Sequence, residues 1–237
     1  MIHLNSAFNM LKIVRQETDS IGVALSMGKD SLTTLDLCSQ IFPHVEAFYL
    51  FRVRGLRVIR KWANYVQKRW GIKVRMYPHW DLYRCYKYAV LQPHWEECRD
   101  VSRLTMKDIE IYFRHEANVE WIAYGWRRTD SISRALIMKR IRGFWPETRR
   151  VFPIWNWKRS QVYEYLQQNN IPTPPGLGRK EQGGLDFHPG ALDYLRKYYP
   201  DDWKKWLRDF PFSEIQLLEL KYAKKWRQYK HALYPFY

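Results

Sequence analysis

"IGVALSMGKDSLTT", residues 21–34, joins an apolar run to a polar turn and then to a second segment with apolar residues at helical spacing. The run over 21–25 is typical of a strand that is buried on both faces of a parallel sheet. Leu32 and Leu35 follow the turn three residues apart, so we expect a helix that continues to about Ile41. The stretch therefore predicts a strand, a turn and a helix, with the polar turn at the carboxyl end of the strand.

The same alternation continues along the chain and predicts an α/β fold. Further strands are expected at 45–51, 72–78 and 119–125 and within 150–157. Helices are expected at 6–18, 57–71, 105–118, 132–143 and 160–171. Strands and helices that alternate at this spacing form right-handed βαβ units. We therefore expect a doubly wound, mostly parallel five-stranded sheet.

A stretch rich in proline and glycine divides the chain. Residues 173–184, TPPGLGRKEQGG, have the composition of a loop or linker. Helical patterns follow over 191–210 and 213–234. We therefore expect residues 1–172 to form the α/β domain and residues 173–237 to contribute the loop and a basic, aromatic, helical C-terminal appendage.

The charge of the chain restricts the kinds of partner that it attracts. Its 237 residues include 40 Lys and Arg against 24 Asp and Glu, which gives a formal net charge of +16. The positive field favours nucleic acid, nucleotides or an acidic protein as partners, and a second copy or a partner subunit stays open. The chain has no signal-peptide pattern and no apolar run of about 18 residues, so we expect a soluble, cytoplasmic protein without a membrane partner.

The cysteines are few and scattered. Cys38, Cys85 and Cys98 form neither a disulfide framework nor a metal-ligand spacing, so we expect no Fe–S cluster. Cys85 and Cys98 could form a redox pair only if the segment between them brings them together. Ordinary buried thiols are the alternative.

The polar turn at 26–31 has the chemistry of a phosphate site. Gly28 gives the backbone conformational freedom, and the first N–H groups of the following helix point beyond the strand end. Lys29 supplies a positive charge for a phosphate oxygen, and Asp30 can hold Mg²⁺ beside a polyphosphate. Two serines add hydroxyl donors, Ser26 and Ser31. The spacing differs from that of the usual P-loop, and a polar turn without a ligand is the alternative.

Two segments resemble a known family. SMGKDS, residues 26–31, resembles the pyrophosphatase-loop signature S-G-G-K-D-S of the adenine nucleotide α-hydrolase superfamily, with Met27 in place of a glycine. IAYGWRRTDSISRA, residues 122–135, is similar to the G-x-R-R-x-x-S-x-S-R pattern of phosphoadenosine phosphosulfate reductases. Residues 151–172 are similar to the segment that follows in those reductases. The resemblance covers about residues 20–200.

The resemblance implies a fold of the HUP or adenine nucleotide α-hydrolase type and a site for ATP and Mg²⁺. In that superfamily the loop holds the β- and γ-phosphates, so that the reaction takes place at the α-phosphate. The residues implied for nucleotide binding are Leu25, Ser26, Met27, Gly28, Lys29, Asp30, Ser31, Leu50, Gly125 and Ser131. Adenine is expected at the ends of the first two strands, near Ala24, Leu25, Leu50 and Phe51.

The expected catalytic groups are cationic, apart from the aspartate of the turn. They are Lys29, Asp30, Arg127, Arg128 and Arg134. Each guanidinium can bind two oxygens of a phosphate or a sulfate. A solvated arginine face is the alternative.

The chain departs from the reductases in its cysteines. Those enzymes end with a cysteine that attacks the sulfonate sulfur, whereas this chain has no cysteine after Cys98. The expected reaction is therefore adenylation with release of pyrophosphate, in nucleic-acid modification or in sulfur activation and transfer. One alternative is a sulfonucleotide reductase or sulfotransferase that uses an external thiol. Another is a non-catalytic nucleotide sensor or nucleic-acid-binding module.

A basic and aromatic helix is expected over 57–71. Its cations include Arg57, Arg60, Lys61 and Lys68, and its aromatic residues are Trp62, Tyr65 and Trp70. Such a mixture can stack on unpaired bases and neutralise phosphates, which predicts a nucleic-acid contact. The alternative is that the aromatic residues pack the helix onto the sheet while the charges face water.

Overall fold

The computed structural model describes residues 2–93, 96, 100–172, 185–218 and 221–222. The chain forms two compact units. Unit 1 comprises the described residues of Met1–Phe51, Ile59–Trp80 and Leu104–Pro174. Unit 2 comprises those of Arg52–Val58, Asp81–Arg103 and Pro175–Tyr237. The domain boundary expected at residue 172 stays a prediction.

Unit 1 is built on a six-stranded sheet. Its strands are β1 (Ser20–Leu25), β2 (His44–Phe51), β3 (Val74–Pro78), β4 (Ile122–Tyr124), β5 (Phe144–Trp145) and β6 (Arg150–Val151). They lie in the order β3-β2-β1-β4-β6-β5. All neighbouring pairs are parallel except β5 with β6. The predicted α/β class and mostly parallel sheet are confirmed, and the sixth strand is the short β5, which turns back against β6.

The helices of the described residues follow the predicted pattern, with one addition. They are α1 (Ile2–Glu17), α2 (Lys29–Ser39), α3 (Arg57–Trp70), α4 (Leu82–Lys87), α5 (Met106–Ala117), α6 (Ile132–Ile141), α7 (Arg159–Gln168), α8 (Pro189–Tyr198) and α9 (Pro200–Asp209). The added helix is α4, in a segment for which the sequence pattern predicts none. Among the described residues, no helix is long and apolar enough to cross a bilayer.

Two helices are predicted in the C-terminal appendage, over 191–210 and 213–234. The helical pattern over 191–210 is divided into α8 and α9, because Pro200 has no N–H to continue a helix and occupies the first turn of the next one. Within the predicted helix 213–234, residues 214–218 and 221–222 are helical. The remainder of that range and the predicted loop at 173–184 lie outside the described residues.

Helices cover both faces of the sheet in unit 1. Strand order reverses between β3 and β4, and right-handed crossovers then place α5 and α6 on the face opposite α2. On one face a Cβ at Gly22 would lie 2.4 Å from Cε1 of Phe113, so α5 approaches β1 closely. Asp36 of α2 joins this helix to α3 and α7, because it accepts hydrogen bonds from Trp70 Nε1 at 2.9 Å and Tyr165 Oη at 2.6 Å.

A buried carboxylate joins α5 to β4 and β6. Glu110 is 2% exposed and accepts two hydrogen bonds of 2.9 Å, from Nε and Nη2 of Arg150. It also accepts a hydrogen bond from the hydroxyl of Tyr124. Burial, and then the charge of Glu110, raise the pKa of Tyr124 well above its usual value, so this phenol stays a donor. The cluster fixes the end of β4 just before Gly125.

Glu110→Gln should lower the free energy of unfolding by about 3 kcal/mol, because it leaves the Arg150 guanidinium without its charged partner. Chemical denaturation monitored by circular dichroism measures this loss. The control is Glu120→Gln, whose side chain is 71% exposed and which should change stability by less than about 0.5 kcal/mol. Equal effects of the two substitutions would contradict a structural role for the buried cluster.

Candidate functional site

The turn between β1 and α2 is closed by a serine. The Oγ of Ser31 donates to the carbonyl of Gly28 at 3.0 Å and accepts from the backbone N–H of Ser26 at 3.2 Å. Gly28 is the N-cap of α2 and has extended backbone angles, and no side chain caps the helix there. The first N–H groups of an α-helix have no partner within the helix, so this end of α2 can accept an anion.

Met27 occupies a strained position in the turn. Its φ of 58° lies in the left-handed region, where a residue with a side chain costs about 1–2 kcal/mol and glycine costs little. The Met27 side chain is buried, and burial of a methionine contributes about 1.5–3 kcal/mol. Burial therefore offsets the backbone strain, which explains how methionine replaces the glycine of the usual loop signature.

Gly125 brings a second segment against this turn. A Cβ at this position would lie 2.7 Å from the carbonyl carbon and oxygen of Asp30 and 2.9 Å from the backbone N of Ser31. The carboxyl end of β4 thus touches the first turn of α2, and a larger residue than glycine cannot fit without a backbone shift. The close contact places Arg127 beside the residues of the turn.

A chain of alternating charges results. Lys29 Nζ lies 2.5 Å from Oδ2 of Asp30, and Arg127 Nε lies 3.0 Å from Oδ1 of the same carboxylate. The second contact is an ion pair without the alignment of a hydrogen bond. Arg127 is 7% exposed, and within the described residues its buried Nη1 has no hydrogen-bond partner. A buried guanidinium with an unused donor favours the binding of an anion.

Asp130 holds two of the predicted arginines and was not singled out from the sequence. It accepts from the backbone N of Arg127 at 2.9 Å, from Nη2 of Arg127 at 2.8 Å and from Nη1 of Arg134 at 2.9 Å. The Arg134 guanidinium also lies over the Trp126 ring, 4.7 Å from its centroid. The sequence signal that could have identified Asp130 was its spacing, three residues after Arg127 and four residues before Arg134.

The other predicted site residues lie at the start of α6, in the loop before it and at the ends of β1 and β2. Ser131 is the N-cap of α6, and its Oγ accepts from the backbone N of Arg134 at 3.2 Å. Arg128 is exposed, and its backbone N–H donates to the carbonyl of Trp155. Leu25 and Leu50 lie at the carboxyl ends of the parallel strands β1 and β2, on the same sheet edge as the turn.

The basic surface of α3 is only partly available for stacking. Arg60, Lys61 and Lys68 are exposed, whereas the three aromatic residues are half-buried and contact one another edge to face. The Trp70 indole donates to Asp36 at 2.9 Å, which favours the packing alternative for that residue. In unit 2, Arg57 forms a 3.4 Å ion pair with Asp201. A nucleic-acid contact on α3 stays a prediction.

Two of the cysteines are buried thiols. Burial raises the pKa of Cys85 from 9.0 to about 11 and raises that of Cys38 further. A thiol that stays protonated is a poor nucleophile at neutral pH. Cys98 lies outside the described residues, so its pairing with Cys85 stays untested. Among the residues that the structure describes, no group of three or more His, Cys, Asp or Glu could hold a metal ion.

Comparison with known proteins identifies one sequence family. The profile of the phosphoadenosine phosphosulfate reductase domain matches residues 20–179. No curated protein matches the chain.

Three solved structures are similar to this chain. A phosphoadenylyl-sulfate reductase from Candida auris, in a phosphate complex, is 14% identical over 71% of this chain and 82% of its own, with a TM-score of 0.43. The U34-tRNA thiolase NcsA from Methanococcus maripaludis, with its 4Fe-4S cluster, is 16% identical over 83% and 71%, with a TM-score of 0.44. An NH3-dependent NAD synthetase from Campylobacter jejuni, with nitrate, is 11% identical over 94% and 96%. Its TM-score of 0.50 shows a shared fold.

Gly125→Ala should lower the free energy of unfolding by about 1–3 kcal/mol and displace the first turn of α2, because the added methyl meets backbone atoms. Urea denaturation measures the stability. Gly28→Ala is the matched control: its backbone angles suit alanine, its Cβ would meet only Ser26 Oγ at 3.3 Å, and the expected loss is below about 1 kcal/mol. A fully stable Gly125→Ala protein would contradict the close contact.

The thiols of Cys38 and Cys85 should react with Ellman's reagent at least about 100-fold more slowly in the folded protein than in denaturant. The pKa of Cys85 alone lowers its thiolate fraction by about that factor near neutral pH, and burial restricts access further. The measurement uses a Cys98→Ser variant, so that the two buried thiols alone report. Fast reaction of either thiol in the native protein would show that the chain has a competent nucleophile of its own.

Proposed function

Since the chain belongs to the phosphoadenosine phosphosulfate reductase domain family, as the resemblance of its motifs predicts, we propose that it binds ATP at the turn of residues 26–31 and cleaves it at the α-phosphate. The observation that carries the proposal is the buried Nη1 of Arg127, a cationic donor without a partner among the described residues, in the segment that Gly125 holds against α2. A phosphate oxygen would satisfy that donor.

The residues of the chain bind and orient the nucleotide in this proposal. The open N-terminus of α2 and the Lys29 ammonium would bind the terminal phosphates, while Arg127 would face the α-phosphate. Asp130 fixes Arg127 through one hydrogen bond from its backbone N–H and one from Nη2 of its guanidinium, so little reorganisation is needed when charge develops on the phosphate. Catalysis would then come from positioning and electrostatic stabilisation, as is general for phosphoryl transfer.

Magnesium is the cofactor that the resemblance implies, and the donor set fits it. Oδ1 of Asp30 lies 3.0 Å from Nε of Arg127 but accepts no aligned hydrogen bond from the described residues, so this carboxylate keeps lone pairs that a hard cation would be able to use. Mg²⁺ typically binds one or two carboxylates together with substrate phosphates. Asp30 would hold the ion, which would neutralise negative charge on the phosphates.

The proposed reaction forms an adenylate. An oxygen nucleophile of the acceptor, such as a carboxylate, a carbonyl oxygen or sulfate, bonds to the α-phosphorus. The bond from that phosphorus to the bridging oxygen of the β-phosphate breaks, and pyrophosphate leaves with the electron pair. The acceptor classes that suit a basic member of this family are a nucleic-acid base and a sulfur-transfer substrate.

A second candidate is a sulfonucleotide reaction with an external thiol. The family assignment favours it, because phosphoadenosine phosphosulfate shares with ATP its adenosine and its 5′-phosphate. Cys38 and Cys85 are buried and the chain has no cysteine after Cys98, so this candidate takes its thiol from another molecule. A third candidate, a nucleotide sensor, would keep the same contacts without turnover.

Lys29→Ala and Asp30→Ala should each weaken ATP binding or abolish pyrophosphate release, because they remove the charged groups that face the phosphates. Loss of one charged hydrogen bond corresponds to about a 10- to 100-fold change in affinity. Titration calorimetry with ATP and Mg²⁺ measures binding, and labelled ATP with DNA or tRNA measures turnover. Lys12→Ala, an exposed lysine on α1, is the control and should change neither.

Three outcomes separate the candidates. Unchanged binding and turnover in both variants would remove the turn from the mechanism. Much tighter binding of the 3′-phosphorylated sulfonucleotide than of ATP would favour the second candidate. ATP binding without pyrophosphate release in the presence of either nucleic acid would favour the sensor.

A further inference from the structure

Helix α6 presents two large apolar side chains to solvent. Ile132 is 83% exposed and Leu136 is 65% exposed, and they lie one helical turn apart. On a helix, residues four apart share a face, so the two side chains form one continuous apolar strip. Buried Met138 lies on the opposite side of the helix, which shows that the strip is the outward face of α6.

The same face carries positive charge at its C-terminal end. Lys139 and Arg140 are exposed and follow Ile132 by seven and eight residues, at positions that continue the strip. The helix sequence ISRALIMKRI contains no aspartate or glutamate. Neither cation forms an ion pair with the residues that the structure describes, and an apolar strip next to such cations suits a partner surface that combines apolar and acidic side chains.

We propose that this α6 face, formed by Ile132, Leu136, Lys139 and Arg140, binds an acidic protein partner. The partner would bury the two apolar side chains and place its carboxylates against the two cations. The face starts directly after the N-cap Ser131, so the bound protein would lie next to the segment that carries Arg127 and Arg134. The inference needs only the exposed face and does not depend on the reaction proposed for the turn.

Charge and side-chain type favour a protein over the other occupants. Single-stranded nucleic acid is bound through aromatic side chains on which bases stack, and α6 has none. A second copy of α6 would bring a second pair of cations and no carboxylate, so the two faces would repel each other at these positions. An acidic protein satisfies the apolar strip and the cations together.

The test begins with site-specific photo-crosslinking. A benzophenone amino acid replaces Leu136 in one variant and Tyr112 in a control variant; Tyr112 is 61% exposed on α5 of the same unit. Crosslinking is carried out in cells of the source organism, and species enriched at position 136 over position 112 are identified by mass spectrometry. The identified protein is then purified, and its affinity for the chain is measured by calorimetry.

The expected partner is a protein with net negative charge whose affinity depends on the face. Lys139→Glu with Arg140→Glu should weaken binding at least about tenfold, and added salt should weaken binding of the unsubstituted chain. Ile132→Ser with Leu136→Ser should weaken it by a similar factor. The control, Lys12→Glu with Lys107→Glu, changes the net charge equally on exposed residues of α1 and α5 and should leave the affinity unchanged.

Several results would overturn the proposal. They are the absence of any species enriched at position 136, a crosslink to nucleic acid or to a second copy of the chain, and an affinity that the charge reversal leaves unchanged. Circular dichroism of each variant establishes that it is folded, which is expected because all substituted side chains are exposed. ATP affinity of the charge-reversed protein should be unchanged, so failure of the nucleotide proposal and failure of this one are separate results.

Discussion

The contact between Gly125 and the first turn of α2 is the constraint on which the candidate site depends. A parallel strand ends with its last residues directed at the sheet edge, and here the residue after β4 lies against the peptide group of Asp30. Only a residue without a Cβ permits that distance. The contact brings together Lys29 and Arg127, which are 98 positions apart in sequence, through the packing of one backbone segment on another.

Burial of the charged groups of the site costs free energy because they lose their hydration, and opposite charges placed against one another reduce that cost. Lys29 and Arg127 are buried cations, and Asp30 and Asp130 lie against them as counter-charges. Such pairs rarely stabilise a fold, because the desolvation of both partners roughly cancels their attraction. The Glu110 cluster nearby is a different case, because both oxygens of its carboxylate are satisfied. The ion pairs of the turn are therefore weak evidence for stability, which is consistent with the anion-binding role that we propose for them.

The sequence predicted the sheet and the polar turn, because both follow from local patterns. An apolar run such as 21–25 predicts a buried strand without information from the rest of the chain. Glycine, lysine and aspartate together at a strand end are typical of a turn that binds a phosphate. Asp130 and Glu110 were missed for a physical reason: an acid on a helix or in a turn is usually solvated, and its partners appear only after folding. Strand β5 was missed because a strand of two residues is too short to show an alternation of apolar and polar side chains.

The buried thiols of Cys38 and Cys85 and the unsatisfied Nη1 donor of Arg127 together indicate which reaction the site can support. Attack on a sulfonate sulfur needs an accessible thiolate, and burial leaves Cys38 and Cys85 protonated. Attack on a phosphorus needs no covalent group from the protein, only cations placed where charge develops. Arg127 pairs with Asp30 and Asp130, but its buried Nη1 has no hydrogen-bond partner among the described residues, and a bound anion would satisfy that donor. Because a ligand that binds only the folded chain adds to its stability, nucleotide binding at the proposed site would stabilise this part of unit 1. In the proposed complex, the phosphate groups of the nucleotide would therefore stabilise the contact between α2 and the end of β4.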